Sequence, residues 1–346
     1  MSASSLPLTA LLSIPAAGYH AVQKLRGKAY LWGLLARTKA PVRVISVGNL
    51  LLGGSGKTPF VVSLAKMLLS RGLKPAVVSR GYSGTNRLPF LVVGDGTNRE
   101  PMVGPSVCGD EPYLIAQRLP GVPVIIGRKR INPVLAAVDL FDCNVIVLDD
   151  GFQHLPLHRD IDIVLLTGAE DRMFPLGFLR EPISALRRAQ IIVLVGENAV
   201  LSPRASHYAA GLPIFTGRVI PAALQMGADP GRAIRPDSLA GQDVMLASAI
   251  ARPERFRHTA QKLGWKVIDH RVFPDHHSFS DDELRLILAL TPGAPVIFTE
   301  KDWVKLPAWF KSNEHAGVLK IDMVVEEEEA FWTVLRGFLD RDLKSQ

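Results

Sequence analysis

Cysteine is scarce in this chain: two residues, Cys108 and Cys143, in 346. Two distant thiols provide neither a disulfide framework nor a zinc-ligand spacing, so reduced thiols in a reducing compartment are expected. Internal repeats and low-complexity tracts are absent from the sequence. Long apolar runs are missing as well. The most apolar segment, residues 6–23 (LPLTALLSIPAAGYHAVQ), is interrupted by Pro15 and His20 and falls short of a transmembrane helix. A secretory signal would carry positive charge before its apolar stretch. Here Lys24, Arg26, Lys28, Arg37, Lys39 and Arg43 come after it, with Tyr30 and Trp32 interleaved. The segment reads either as an interfacial membrane helix or as a helix packed on the protein's own core.

What is present suits a folded protein with a sizeable core: 47% of residues are apolar and 21% charged. The length favours two domains. A net charge of +7 and a pI near 9.5 favour anionic partners, whether nucleic acid, anionic lipid or a phosphorylated substrate.

Residues 42–195 alternate strand-like and helix-like stretches. Short β-branched runs occur at 42–47, 76–79, 122–126, 145–148, 161–166 and 191–195. Residues 58–71 carry apolar positions at helical spacing and stop at Gly72. Continuously apolar strands between helices imply a parallel sheet covered on both faces. Near residues 213–221 the pattern changes, and IFTGRVI reads as an extended connector. A second αβ set follows, with strands at 244–247, 266–268 and 296–299, helices at 253–263 and 281–290, and a closing helix at 326–343. The fold class is therefore α/β: a P-loop NTPase-type parallel-sheet domain with a second, smaller α/β domain.

Residues 48–60 read GNLLLGGSGKTPF. The end matches a phosphate-binding loop, G-x-x-x-x-G-K-[ST], but Leu51 occupies the first glycine's place. The context fits: a strand precedes the loop and a helix follows. Gly53, Gly54, Ser55 and Gly56 would bring backbone N–H groups against phosphate, Lys57 would reach the outer phosphates, and the Thr58 hydroxyl would face Mg²⁺. A carboxylate at the end of a neighbouring strand is also needed, and VIVLDDGFQH offers Asp149 and Asp150. Because side chains alternate along a strand, the two should point differently, one to metal and the other to a water or a basic neighbour. Asp110 and Glu111, at the start of a predicted helix, read either as dipole-favoured acids or as a general base near the phosphates. His276 and His277 lie beside Asp275 in FPDHHSF, and read as proton-transfer groups or as a surface pair. Arg80, Arg128, Arg130 and Arg180 are candidate cations for phosphoryl groups.

A GTPase would show D-x-x-G after the metal strand and [NT]-K-x-D for guanine; neither occurs. A nucleic-acid motor suits the basic charge, but no strand face combines aromatic and basic residues for base stacking. A non-enzymatic, nucleotide-gated membrane-binding module also suits the composition. A kinase acting on a small or lipid substrate remains. The ordered set VISVGNLLLGGSGKTP, SRGY, GDEPYLIA, LDDGFQH, PLGFLREP, FPDHHSF and TEKDWVK resembles the tetraacyldisaccharide 4′-kinase family of lipid A synthesis, over nearly the whole chain. That family also lacks the loop's first glycine.

The resemblance implies phosphorylation, with ATP and Mg²⁺, of the 4′-hydroxyl of a tetraacylated glucosamine disaccharide 1-phosphate, forming lipid IVA. It further implies monotopic attachment to the anionic cytoplasmic face of the bacterial inner membrane. Neither nucleic acid nor an obligate protein partner is expected. Its implied organisation is a membrane-interface region over 1–40, a P-loop kinase domain over 41–215 and a smaller C-terminal domain over 216–346, whose last helix is free to pack back on the first. Carried over residue by residue, Asp110 matches the general base, oriented by a DHH histidine taken as His276, with His277 the alternative. Lys57 and Thr58 match the phosphate and magnesium residues, and Asp149 and Asp150 the metal-strand pair. Glu111, Arg80, Tyr82, Arg130, His154 and Arg180 match positions around the two substrates.

Overall fold

The computed structural model describes residues 22–23, 25–30, 32–98, 100–168, 173–174, 177–227, 229, 231–290 and 292–340. The apolar segment 6–23 therefore lies outside the described residues except at its last two positions. Among the described residues, no helix is long and apolar enough to cross a membrane.

The first strand, β1 (Arg43–Asn49), is buried from Val44 onward, as expected of a strand flanked by others and covered on both faces. In chain order the others are β2 (Pro75–Ser79), β3 (Leu91–Gly94), β4 (Val124–Ile126), β5 (Val145–Asp149), β6 (Ile161–Leu166), β7 (Ile191–Val195), β8 (Ile214–Met226), β9 (Ala233–Ile234), β10 (Asp243–Ser248), β11 (Lys266–Val272), β12 (Val296–Thr299) and β13 (Ala316–Val325). They form one sheet in the order β11-β10-β12-β13-β8-β7-β6-β1-β5-β2-β4-β3, with β9 on β8. Pairing is parallel except for β3 with β4, β8 with β13, and β8 with β9.

The segment expected as a connector is instead the first half of β8. It pairs parallel to β7 over Ile214–Gly217 and antiparallel to β13 over Gly217–Met226. Thirteen residues of strand thus run through both halves of the sheet. Strand β13 is not visible as a plain apolar run because Lys320 and Asp322 interrupt it.

Helix α1 (Lys57–Ser70) follows β1 and buries Phe60, Val61, Leu64, Ala65 and Leu68 against the sheet. Helix α2 (Asp110–Arg118) buries Leu114, Ile115 and Ala116. Helices α3 (Pro253–Lys262) and α4 (Asp281–Leu290) belong to the β10–β13 half. The last helix, α5 (Glu328–Leu339), returns to the first half. Its Phe331, Leu335 and Leu339 join the core of α1, and the Phe331 ring meets Phe60 edge-on at 6.1 Å and Phe215 at 5.3 Å. Both cysteines are free and buried.

Candidate active site

Strand β1 sits where the order of connection reverses, between β5 and β6. Ligands of open α/β sheets bind outside the strand carboxyl ends at such a point. The loop there begins with Leu50 and Leu51, both buried. Leu51 pairs with Leu179, Leu52 N–H donates to Phe178 O at 2.7 Å, and Arg180 N–H donates to Leu50 O at 2.7 Å. A glycine could keep these main-chain contacts, but not the buried side chain that Leu51 adds to the apolar cluster containing Leu179. Gly56 has φ 81°, left-handed, and a Cβ there would lie 2.5 Å from Met323 Cε. Glycine adopts that turn without steric cost. No side chain caps the first N–H groups of α1, which leaves them available to an anion.

Asn49, not picked out from the sequence, braces the loop. Its amide donates to Ser55 Oγ at 2.7 Å, and its Oδ1 accepts from Lys57 Nζ at 3.2 Å. The only sequence signal was the polar residue at the end of an apolar strand.

The two acids after β5 point apart. Asp149 is buried, and its Oδ2 accepts from Ser79 Oγ at 2.9 Å while Oδ1 has no partner. Burial, then the Glu111 and Asp150 charges, push its carboxyl up to about 7. Asp150 has φ 52° and lies 3.3 Å from Lys57 Nζ and 2.9 Å from Arg180 Nη1. Burial opposes its ionisation, but Lys57 and Arg180 outweigh it and hold the carboxyl below its ordinary value. A buried carboxylate oxygen with no partner, beside the Thr58 hydroxyl in the same cleft, has the chemistry to take a hard cation such as Mg²⁺.

Helix α2 starts at a second left-handed glycine. Gly109 has φ 94°, and a Cβ there would lie 2.2 Å from Tyr82 O, so the SRGY loop and the start of α2 lie against each other. Asp110 Oδ2 is 3.2 Å from His276 Nδ1 and 3.8 Å from Lys305 Nζ. His276 comes from the other half of the sheet, after β11. His277 turns away, bonding Glu283 at 3.1 Å and stacking on Phe273. Lys301 Nζ approaches Glu111 at 3.5 Å, Asp275 at 3.2 Å and His276 Nε2 at 3.1 Å. Lys301 and Lys305 stand four apart in TEKDWVK, but their partners are remote in sequence and so could not be named from it.

These groups border a cleft of about 1890 Å³. Every sequence-predicted site residue lines it except the alternative histidine His277 and Asp110, which is 8% exposed and adjoins the lining residues Glu111 and His276. Arg26, Arg80, Arg128, Arg130 and His154 line one region. Burial and the charges of Arg130, Arg159, Arg26 and Arg80 push His154 down to about 4. Burial, opposed by Asp149 but reinforced by Arg80, lowers Arg130 to about 10. A neutral imidazole among guanidinium groups suits an anionic ligand. Across the cleft, Arg255 of α3 donates to Gly54 O at 3.2 Å, a contact between the halves that the sequence did not reveal.

The model of the tetraacyldisaccharide-1-P 4′-kinase family matches residues 8–340. The chain belongs to this family. A tetraacyldisaccharide 4′-kinase of Syntrophus aciditrophicus (strain SB) is 37% identical, over 94% of this chain and 91% of the relative. One from Anaeromyxobacter sp. (strain Fw109-5) is 40% identical over 86% and 82%. Among solved structures, the "apo" form of LpxK from Aquifex aeolicus, crystallised in complex with ATP, superposes with a TM-score of 0.77 at 32% identity, covering 96% of this chain and 99% of that one. Family membership separates the kinase reading from the nucleic-acid motor and the membrane-binding module.

Proposed function

We propose that the protein transfers the γ-phosphoryl group of ATP to the 4′-hydroxyl of a tetraacylated glucosamine disaccharide 1-phosphate, yielding lipid IVA and ADP. The observation that carries this reading is one cleft lined by the Gly53–Thr58 loop, by Asp149 and Asp150, and by Glu111 and His276 from opposite halves of the sheet. Gly53, Gly54, Ser55 and Gly56 cradle phosphate with backbone N–H groups, and Lys57 draws the outer phosphates by its charge. Mg²⁺ carried with the nucleotide would be held by Thr58, Asp149 and Asp150, and supplies neutralisation of the phosphate oxygens. Asp110 takes the proton of the 4′-hydroxyl as its oxygen bonds to the γ-phosphorus and the bond to the ADP oxygen breaks. His276 orients Asp110 from the second half. Closure of the halves on one another keeps His276 against Asp110 and excludes water from the acceptor. Arg80, Tyr82, Arg130, His154 and Glu111 surround the substrates, and Arg180 holds Asp150.

Residues 1–40 are read as a membrane-interface region that attaches the protein to the cytoplasmic face of the inner membrane. Within the described part, Leu25, Trp32 and Leu34 are exposed, and Lys28 lies over the Trp32 ring at 5.3 Å. Exposed apolar and basic side chains together favour an anionic lipid surface. Residues 41–215 form the kinase part and 216–346 the smaller part in this reading. The test is ³²P transfer from ATP to a disaccharide lipid acceptor, with hydrolysis measured alongside in the presence of nucleic acid. Labelled lipid supports the reading; nucleic-acid-stimulated hydrolysis without labelled lipid refutes it.

A further inference from the structure

The short helix Glu300–Trp303 turns Lys301 toward the Asp110–His276 pair. A lysine ammonium has three donors and no acceptor. Three partners meet this one: His276 Nε2 at 3.1 Å, Asp275 Oδ1 at 3.2 Å and Glu111 Oε1 at 3.5 Å. Burial works against its charge, but the carboxylates of Glu111 and Asp275 outweigh burial and raise its pKa above the ordinary lysine value. The group is therefore a cation at neutral pH and only donates.

That fixes the imidazole. Facing an ammonium at 3.1 Å, Nε2 must present its lone pair. In a neutral ring the hydrogen then lies on Nδ1, which faces Asp110 Oδ2 at 3.2 Å. The opposite tautomer would aim Nε2–H at the ammonium, with Asp275 Oδ1 at 4.0 Å beyond hydrogen-bond reach. It would also turn the Nδ1 lone pair toward a carboxylate. An imidazolium would repeat the clash of donors at Nε2. The backbone that carries the ring is fixed independently of Lys301, and the Tyr82 ring lies 5.8 Å from the imidazole. His276 has φ 64°, unusual for a residue with a side chain, and its N–H donates to Ala249 O at 3.2 Å.

We infer that Lys301 is a positioning residue that holds His276 in the neutral Nδ1–H tautomer, so that the histidine donates to Asp110 and orients the carboxylate toward the acceptor hydroxyl. This rests on the reading of Asp110 as the base, and the tautomer can be measured without turnover. Long-range ¹H–¹⁵N correlation spectra of the full-length protein at neutral pH, with the His276 signals assigned through His276→Gln, report which ring nitrogen carries hydrogen. The wild type is expected to show hydrogen on Nδ1 and a bare Nε2. Lys301→Met removes the cation that faces Nε2 while Asp110 still faces Nδ1, so hydrogen should appear on Nε2 as well as on Nδ1, and kcat should fall about tenfold or more, with KM for ATP unchanged. Lys301→Arg, which also only donates, should keep the Nδ1–H signature and most of kcat.

A wild-type spectrum with hydrogen on Nε2, or on both nitrogens, overturns the inference. So does a Lys301→Met protein that loses kcat while Nε2 stays bare, because Lys301 then acts only as a tether for Glu111 and Asp275. If Lys301→Met fails to fold, the wild-type and Lys301→Arg spectra decide alone. Absence of lipid phosphorylation by the wild type, with the Nδ1–H signature present, removes the kinase reading and leaves the tautomer assignment in place.

Discussion

Asp149→Asn should make the protein more stable at alkaline pH while destroying its activity. Asp149 Oδ1 is buried with no partner, and the carboxyl is pushed up to about 7, against about 3.9 for an ordinary aspartate. The folded state therefore holds this proton more tightly than the unfolded chain. Its contribution to stability is fully present below about pH 3.9, falls by about 1.4 kcal/mol per pH unit within the window, and is lost above about pH 7. Between pH 5 and 8 the wild type should lose stability through this one group, on the order of 2–3 kcal/mol. Asparagine keeps the size and can still accept from Ser79 Oγ, now at 2.9 Å from Oδ2, but it does not titrate. The measurement is urea unfolding of both proteins at pH 5, 6, 7 and 8, without nucleotide or divalent cation. Groups remote from Asp149 cancel in the difference, whereas Glu111, Asp150 and Lys57, which feel its charge, leave a smaller residual slope. The stability of the variant relative to the wild type should climb by a similar amount over that range. Parallel curves, or a variant that loses ground as pH rises, would refute the claim that this carboxylate is strained by burial. Added Mg²⁺ should stabilise the wild type at pH 8 more than the variant, since only a ligand bound by the folded state shifts the balance.

Three further outcomes are expected. Asp110→Asn should lower turnover about 10²–10⁴-fold, the usual general-base contribution; near-normal turnover in a folded variant would remove Asp110 from that role. Lys57→Ala should weaken use of ATP in steady-state kinetics if, as proposed, the Lys57 ammonium and the loop N–H groups bind the same phosphates; a change confined to KM for the lipid would contradict this. Deleting residues 1–20 should release the protein from membrane fractions on flotation, and persistent tight binding would locate the attachment elsewhere.

Much of the first half was legible in the sequence because its signals are local. A β-branched strand, glycines and a helical period sit side by side around Lys57, and the strand leading to Asp149 is a plain apolar run. Leu51 was legible only as a mismatch. Its reason is the pairing with Leu179 and burial beside Phe152, Leu166 and Leu179, across more than a hundred residues. Strand β8 escaped detection because its burial does not alternate, its two edges pairing with strands from different halves. The lysines of TEKDWVK, Asn49 and Arg255 escaped for the same kind of reason. A lysine on a polar helical turn has no local mark that separates it from a solvated one, and only the fold brings Lys301 to Glu111.

Those distant contacts give the site its logic. Helix α2 is gripped at both ends by the second half. At its N-terminus Asp110 meets His276 and Lys305, and Glu111 meets Lys301. At its C-terminus Arg118 forms ion pairs with Glu300 and Asp322 and donates to Ile321 O at 3.2 Å. Glu300 also accepts from Ile321 N–H at 2.9 Å, and it precedes Lys301 directly. The same short turn thus holds the far end of α2 and aims the ammonium at the proposed base. Such contacts cannot form in either half alone. Opening the halves would part Arg118 from Glu300 and Asp322 and return each of these groups to water, so the pairs fix how the halves dock more than they oppose opening. If Asp110 is the base, it has its His276 and Lys305 partners only while the halves are together, and proton removal then belongs to that state.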